Sequence, residues 1–120
     1  MRRGRIDYRM ARRALLRDVE VGLRSRRDVC DAHPDLVRAG RNLGERTGED
    51  CPFCDDAELR LVTYVFGRQI GRQSGRVVAR TTLGLLSERY GDLNVYMVEV
   101  CPDCGWHHLR ESFWFGREAG

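Results

Sequence analysis

A chain of 120 residues has room for one domain, or for a small domain with an appendage, and it can bury only a modest core. No apolar run approaches the roughly 18 residues that a membrane-spanning helix needs, so we expect no membrane span. The first residues lack the apolar centre of a secretory signal, which predicts a cytoplasmic protein. In that reducing compartment, paired cysteines are more often metal ligands than disulfides.

The net charge of +3 conceals blocks of opposite sign. All 21 basic residues are arginines, a bias that a GC-rich genome alone would explain. Residues 1–27 carry ten arginines against three acids, residues 28–58 carry three against nine, and residues 59–80 carry five with no acid. Such blocks predict either a polyanionic partner or ion pairing between segments of the chain itself.

Residues 1–44 are predicted to form an arginine-rich helical segment. Asp7 can cap a first helix that runs to about Leu23. An apolar stripe at helical spacing comprises Tyr8, Ala11, Leu15, Val19 and Leu23. Arg9, Arg13 and Arg17 lie mostly on another face of the same helix.

Two shorter helices are predicted to follow. Ser25 and Asp28 form a capping-box pattern for a helix through about Ala32. Pro34 suits the first turn of a third helix that ends near Gly40 or Gly44. Three helices joined by tight turns resemble a helix-turn-helix unit in outline, as many three-helix bundles do.

A polar stretch with two glycines, residues 42–50, is the predicted linker to a second, mostly β part at residues 51–116. Strands are predicted at 59–66, 76–80, 93–100 and 106–115, because these runs are rich in β-branched and aromatic residues. A short helix over 83–90 is predicted to be capped by Thr81 or Thr82 and stopped by Gly91. Residues 67–75 are predicted to form a basic loop that lacks the Lys-Ser/Thr ending of a P-loop.

Four cysteines form two matching pairs, Cys51–Cys54 and Cys101–Cys104, separated by 46 residues. Two Cys-x-x-Cys pairs supply the four soft ligands of a tetrahedral structural zinc ion. A proline follows the first cysteine of each pair and presets the turn, and Gly105 can adopt the positive φ that such a turn uses. The pattern predicts one structural zinc ion at the base of a zinc-ribbon-like antiparallel sheet with a short inserted helix, in an α+β fold.

Three alternatives compete with a zinc site. A glutaredoxin-like redox dithiol should follow a buried strand and open a helix, whereas Cys51 follows a polar stretch and precedes a strand. Rubredoxin-like iron uses nearly identical ligand pairs and remains open, although a red-brown colour would identify it at once. A disulfide is disfavoured by the expected compartment.

Four other candidate ligands are expected to be structural. Cys30 and His33 form a Cys-x-x-His pair, which we interpret as a buried small residue followed by a helix cap. His107 and His108 are adjacent, so on a strand they point to opposite faces. Because four cysteines already fill one zinc ion, either histidine would at most donate a hydrogen bond near it.

No catalytic site is predicted. A catalytic zinc keeps an open coordination position, and a four-cysteine site does not. The sequence contains no phosphate-binding glycine motif and no nucleophile elbow. We therefore expect a protein that is not an enzyme.

Three motifs resemble those of a known family. They are Arg-Arg-Gly-Arg-Ile-Asp-Tyr at residues 2–8, Asp-Val-Cys-Asp-Ala-His-Pro at 28–34 and Val-Glu-Val-Cys-Pro-Asp-Cys-Gly-Trp-His-His at 98–108. The chain resembles, over nearly its whole length, an uncharacterised actinobacterial family of short zinc-ribbon-like proteins, the domain of unknown function 5318. The resemblance implies a bacterial cytoplasmic protein from a GC-rich genome, and it implies no activity.

The leading functional prediction is a zinc module that associates with nucleic acid, or with a ribonucleoprotein or transcription complex. The candidate contact residues are Arg9, Arg13, Arg17, Arg68, Arg72, Arg76, Trp106 and Trp114, with Tyr64 and Phe66 as further aromatic rings for stacking. The alternative is an adaptor that docks on another protein chain through the apolar end of the last strand, where Trp114 lies between two phenylalanines. An alternative interpretation needs no partner: the arginines pair with the acidic segment at residues 28–58, and the aromatic side chains fill the core.

Overall fold

Residues 2–116, apart from the side chain of Gln73, are described by a computed structural model of the protein, and within them six strands and four α-helices form. The strands are β1 (Arg2–Asp7), β2 (Glu45–Asp50), β3 (Glu58–Phe66), β4 (Arg76–Val78), β5 (Leu93–Val100) and β6 (His107–Phe115). The helices are α1 (Arg9–Glu20), α2 (Arg26–Val29), α3 (Pro34–Leu43) and α4 (Leu83–Tyr90). The fold is therefore mixed α+β, in agreement with the predicted class.

All six strands belong to one antiparallel sheet. Its order is β1-β6-β5-β3-β2. Strand β4 pairs with β3 on the side that also carries β2, but further along β3. The central pair runs in continuous register from Arg60 opposite Val100 to Phe66 opposite Asn94. Because β3 and β5 run in opposite directions, the start of β3 and the end of β5 lie at the same end of the sheet.

The core divides into two clusters at opposite ends of the sheet. The distal core consists of Val65, Ile70, Leu83, Leu93, Val95, Met97 and Phe113. The metal-end core consists of Val29, Cys51, Ala57, Leu59, Cys101 and Trp106. Helix α4 contributes to the distal core, whereas Leu15, Leu16 and Val19 of α1 pack against the metal-end core.

The N-terminus differs from the prediction, because a strand precedes the first helix. Strand β1 pairs with β6 from Arg2 opposite Phe115 to Asp7 opposite Glu111. Tyr8, and not Asp7, occupies the N-cap position of α1, although the Asp7 carboxylate accepts a hydrogen bond of 2.8 Å from the Arg9 N–H. The helix ends at Glu20, so Leu23 lies beyond it and is 75% exposed.

The predicted linker at residues 42–50 is also wrong, because most of it is strand β2. Strand β2 pairs with β3 from Glu45 opposite Leu61 to Asp50 opposite Glu58. The Thr47 hydroxyl donates to the Leu59 carbonyl at 2.7 Å. Its polar composition reflects a strand at the edge of the sheet, which needs few apolar side chains.

The remaining elements lie close to their predicted positions. Ser25 and Asp28 exchange both hydrogen bonds of a capping box, and the His33 side chain caps α3 above Pro34. Helix α4 ends at Gly91, whose φ is +83°. Thr82 precedes that helix without capping it, because its hydroxyl donates to the Ala79 carbonyl instead. Within the part of the chain that the structure describes, no helix is long and apolar enough to span a membrane.

The last strand is covered differently on its two faces. Phe113 points into the distal core and is 1% exposed, whereas the neighbouring Trp114 is 43% exposed. At this end β1 lies beside the last strand, with Gly4 against the Trp114 ring. One face of the sheet at this end is therefore open.

Candidate metal centre

The two cysteine pairs meet at one end of the sheet. Cys51 and Cys54 lie in the turn that joins β2 to β3, and Cys101 and Cys104 lie in the turn that joins β5 to β6. Because β3 and β5 are neighbours in the sheet, these two turns lie side by side. All four sulfurs lie within 4.8 Å of one another, as the predicted grouping requires.

Backbone hydrogen bonds shape both turns. The Cys51 N–H donates to the Ala57 carbonyl and the Cys101 N–H to the Trp106 carbonyl, each at 2.8 Å. The φ of Gly105 is +86°, and its N–H donates to the Cys101 carbonyl at 2.9 Å. A Cβ at this position would lie 3.1 Å from the Cys30 carbonyl oxygen, so the turn needs glycine for both conformation and space.

The sulfur geometry fits a tetrahedral ion. A zinc–sulfur distance of about 2.3 Å places tetrahedral sulfurs about 3.8 Å apart. The sulfurs of Cys51 and Cys104 are 3.7 Å apart. The N–H groups of Phe53 and Trp106 donate to the sulfurs of Cys51 and Cys104 at 3.4 and 3.3 Å. Such donors stabilise thiolates, which are the form that binds a metal. The site can therefore hold a metal ion through these four cysteines.

Burial and hydrogen bonding move the pKa values of these thiols in opposite directions. Burial raises the pKa of Cys51, and it raises that of Cys54 to about 11. Burial alone would also raise the pKa of Cys104, but the Trp106 N–H and the neighbouring thiols donate to it and lower its pKa to about 7. Cys104 is therefore the thiol whose environment most favours the thiolate among these three.

A fifth cysteine and an arginine border the site, a position that sequence reasoning predicted for neither. Cys30 follows α2 and lies against Cys104, while burial raises its pKa to about 11. Arg26, also on α2, donates to the Cys54 sulfur at 3.5 Å, and its guanidinium lies 5.6 Å from the Phe53 ring. The sequence spacing of Cys30 and His33 suggested only each other as partners, whereas Cys30 contacts Cys104 through tertiary packing and His33 contacts the nearby Asp35.

Glu99 is a buried carboxylate next to the metal-end core, and its side chain is 0% exposed. It accepts hydrogen bonds from the Trp106 indole and from Arg12 of α1, each at 2.8 Å. Arg110 lies 3.4 Å from the same carboxylate. Since a buried charge is strongly destabilising without partners, these contacts fix the position of α1 against the sheet.

Neither histidine of the last strand is among the clustered ligands. The His107 Nε2 lies 3.0 Å from a carboxylate oxygen of Asp31. The His108 ring stacks on Trp106 with centroids 5.9 Å apart. Both residues therefore contact structural neighbours, which leaves four cysteines as the ligand set.

The candidate contact residues do not form one patch. Arg9, Arg13 and Arg17 are exposed on α1, beside the metal end, and Arg9 also pairs with Asp7 at 2.7 Å. Arg68, Arg72 and Arg76 are exposed beyond the other end of β3. Trp106 is 0% exposed, so its predicted role as a contact residue is wrong. Its ring fills the metal-end core and its only polar atom donates to Glu99.

Part of the positive charge is paired within the chain, although the N-terminal arginines pair mainly with acids outside the 28–58 segment, contrary to the alternative interpretation. Arg5 pairs with Glu111 at 2.6 Å, and Arg46 pairs with Glu58 at 3.0 Å. Arg110 bridges Glu49 and Glu99. The arginines of residues 68–76 take part in none of the ion pairs formed within residues 2–116.

Comparison with known proteins places this chain among uncharacterised relatives. A family model described as "Family of unknown function (DUF5318)" matches residues 1–120. The uncharacterised proteins Mb0050 of Mycobacterium bovis and Rv0049 of Mycobacterium tuberculosis are each 40% identical over 111 residues, which cover 92% of this chain and 81% of the relative. No solved structure matches the chain.

Proposed function

The chain belongs to the DUF5318 family of unknown function, and we propose that it is a non-enzymatic, cytoplasmic zinc-binding module of the zinc-ribbon type that associates with nucleic acid or with the transcription or translation machinery. The observation that carries the proposal is the convergence of four cysteine sulfurs within 4.8 Å between two antiparallel hairpin turns. Two paired-cysteine turns that clamp one ion between hairpins are the arrangement of a zinc ribbon.

The metal is proposed to be structural. Four thiolates fill a tetrahedral zinc ion, so no coordination position remains for a substrate or a reactive water. Cys51 and Cys101 are 6% and 0% exposed, and both belong to the metal-end core. An ion bound there would link the β2–β3 turn to the β5–β6 turn and support the core around Trp106.

Metal analysis of purified protein tests this part of the proposal. We expect one zinc ion per chain and a colourless solution. Chelation should reduce the folded signal in circular dichroism, because binding of a structural ion is coupled to folding. A red-brown protein with one iron per chain would replace zinc by a rubredoxin-like site. An unchanged spectrum after complete zinc removal would contradict a structural role.

Nucleic-acid association is supported by the distribution of arginine. Residues 59–80 contain five arginines and no acid, and the side chains of Arg68, Arg72 and Arg76 are exposed. Arg13 and Arg17 are exposed on α1, at the other end of the sheet. Guanidinium groups without carboxylate partners suit phosphate contacts, since their planar fork binds phosphate oxygens in pairs.

Binding to generic DNA and RNA at two salt concentrations tests the association. We expect binding in low salt that weakens steeply as salt rises, because each phosphate contact releases a condensed counterion. A double variant Arg68→Gln/Arg72→Gln should bind more weakly and show a shallower salt dependence. Absence of binding to every nucleic acid in low salt would overturn this part of the proposal.

The second candidate is a protein adaptor that docks through aromatic side chains. Phe66 and Trp114 are 41% and 43% exposed and line the same recess, so together they offer a contiguous aromatic surface to a partner protein. Affinity capture from cell extract with and without nuclease separates the two candidates. A partner that survives nuclease treatment, and that Trp114→Ala but not Leu85→Ala releases, would favour the adaptor.

A further inference from the structure

We propose that a single-stranded nucleic acid binds across the open face of the sheet, with its bases stacked on an aromatic surface and its phosphates near the 67–76 loop. We call this surface the aromatic face. It consists of Tyr64, Phe66, Asn94, Tyr96 and Trp114. The inference rests on the proposed association with nucleic acid and names the form of nucleic acid and the surface that binds it.

The aromatic face spans three adjacent strands, β3, β5 and β6. Tyr64 lies opposite Tyr96, and Phe66 lies opposite Asn94, which in turn lies opposite Trp114. Alternate side chains of a strand share a face, so these five residues point to one side of the sheet. The intervening residues, including Val65 and Val95, point to the other side and belong to the distal core.

This face forms the floor of a cleft. The cleft has a volume of about 980 Å³, and the helical segment supplies its opposing wall through residues such as Leu15, Val29 and Leu36. A second recess of about 610 Å³ shares Phe66 and Asn94 with the first and extends to Arg68 and Trp114. The two recesses therefore form a continuous path from the helices to the 67–76 loop.

The chemistry of the floor suits nucleobases. The rings of Phe66 and Tyr96 meet edge to face with centroids 5.4 Å apart, so they present surfaces in two orientations. The Asn94 amide donates to the Tyr96 hydroxyl at 3.1 Å, which places polar groups between the aromatic rings. The Tyr96 hydroxyl hydrogen and the Asn94 carbonyl oxygen are not used in this bond, so they can pair with the edge of a base.

The positive charge beside the 67–76 loop favours an anionic ligand at that end of the cleft. Arg68 lines the second recess, and Arg72 and Arg76 lie in or beside the same loop with exposed side chains. Asp92, the acid that borders the second recess, is paired with Arg3, whereas Asp28 and Asp31 lie at the helical end of the first cleft. The charges left for a ligand at the loop end are therefore positive.

The aromatic rings of this face favour a single strand. Bases inside a duplex are stacked on each other, so their faces are not free to stack on protein rings. A helix that reads the major groove has to protrude, yet the helices here border the cleft as one of its walls. Unpaired bases can instead enter the cleft one after another and stack on its rings.

Fluorescence anisotropy with labelled oligonucleotides of about 12 residues tests the inference, since single-stranded sites span roughly 4–16 nucleotides. The probes are a mixed-sequence RNA, the DNA of the same sequence and the corresponding DNA duplex. The variants Phe66→Leu and Trp114→Leu remove stacking surface but keep apolar volume. Leu85→Ala is the matched control, because Leu85 is 71% exposed on α4, the helix that packs on the covered side of the sheet. Thermal unfolding establishes that each variant is folded.

We expect at least tenfold tighter binding of single strands than of the duplex, and about a tenfold loss of single-strand affinity for each aromatic variant. Leu85→Ala should change the affinity by less than twofold. Emission from Trp114 should be quenched on binding, since the other tryptophan is buried. The RNA and DNA arms show whether the 2′-hydroxyl contributes.

The outcomes separate this inference from the proposed function. Absence of binding to all three probes overturns both. Equal binding of duplex and single strand overturns the inference alone if an Arg13→Gln/Arg17→Gln variant loses affinity while the two aromatic variants keep it. That result would place the contact on α1 instead of the aromatic face.

Discussion

The two ends of the sheet reach stability by different means. The distal core consists of seven buried side chains, which include Phe113 and Leu93 at 1% and 0% exposure. Helix α4 and the residues before it cover this core. The metal-end core contains two cysteines and Ala57 among its six buried residues, so it has less apolar surface to bury. An ion that joins Cys51, Cys54, Cys101 and Cys104 would stabilise this end of the sheet, where apolar burial contributes less.

This difference predicts which end of the sheet depends on the metal ion for its stability. Burial of apolar area contributes wherever large side chains leave water, and it requires no ligand. A crosslink through an ion contributes only near the turns that carry its ligands, and it disappears with the ion. The distal end should therefore tolerate metal loss better than the metal end does.

The largest effect is expected for Cys101→Ser. Structural zinc sites bind with about 10–16 kcal/mol in small domains, which is as large as the whole stability of many proteins. The variant should lose zinc, and amides near residues 51–57 and 101–106 should lose protection from hydrogen exchange before those of residues 93–97. Metal analysis and exchange mass spectrometry measure both effects. Cys30→Ser is the control and should keep one zinc ion, since Cys30 lies outside the four-sulfur cluster. A full zinc content in Cys101→Ser would contradict the ligand assignment.

Phe113→Ala addresses the distal end alone. Truncation of a fully buried phenylalanine should destabilise the zinc-loaded protein by about 3–5 kcal/mol through lost burial and the cavity that remains. Zinc stoichiometry of the folded variant should stay at one, because Phe113 belongs to the distal core. Urea unfolding followed by tryptophan emission measures the free energy of unfolding. Loss of zinc from the folded variant would show that the two ends are not independent.

Gly105→Ala should produce a smaller effect at the metal end. Its φ of +86° costs an alanine about 1–2 kcal/mol, and the added methyl would also crowd the Cys30 carbonyl. Gly48→Ala is the matched control, since its φ is +72° but nothing lies within 4 Å of the added atom. Both variants should lose stability, and only Gly105→Ala should give up zinc more readily to a chromophoric chelator. Equal zinc retention would mean that the turn adjusts without disturbing the ligands.

Arg26→Gln should have the smallest effect. Removal of the guanidinium takes one donor from the Cys54 sulfur and one positive charge from the vicinity of four thiolates. We expect zinc transfer to a chelator to accelerate by about tenfold, the low end of the usual effect of outer-shell donors because Arg26 is exposed, with the stability of the distal end unchanged. Arg27→Gln, one residue further along α2, removes the same charge without that hydrogen bond. An equal acceleration in both variants would attribute the effect to general charge.

Elements with strong local signals were predictable from the sequence. Strands β3, β5 and β6 are rich in β-branched and aromatic residues, and the ends of α2 and α4 carry a capping box and a stop glycine. The cysteine spacing indicated which four residues meet, because two identical pairs point to one shared ion. Local chemistry was sufficient in each of these cases.

Strands β1 and β2 were not predictable, because they exist through their partners. The sequences Arg-Arg-Gly-Arg-Ile-Asp and Glu-Arg-Thr-Gly-Glu-Asp lack the apolar alternation that marks a strand. Backbone pairing with β6 and β3 holds them in the sheet instead, and ion pairs such as Arg5 with Glu111 and Arg46 with Glu58 accompany it. The same reason hid Cys30 and Glu99, whose neighbours lie far away along the chain.

The pairing of β1 with β6 has a consequence for the moment of synthesis. Arg2 meets Phe115, so the first strand has no partner until more than a hundred further residues have been made. At about 5–20 residues per second, a ribosome needs roughly 5–20 s to make them. During that time the arginine-rich segment 2–7 cannot pair with β6, and even in the complete sheet β1 remains an edge strand.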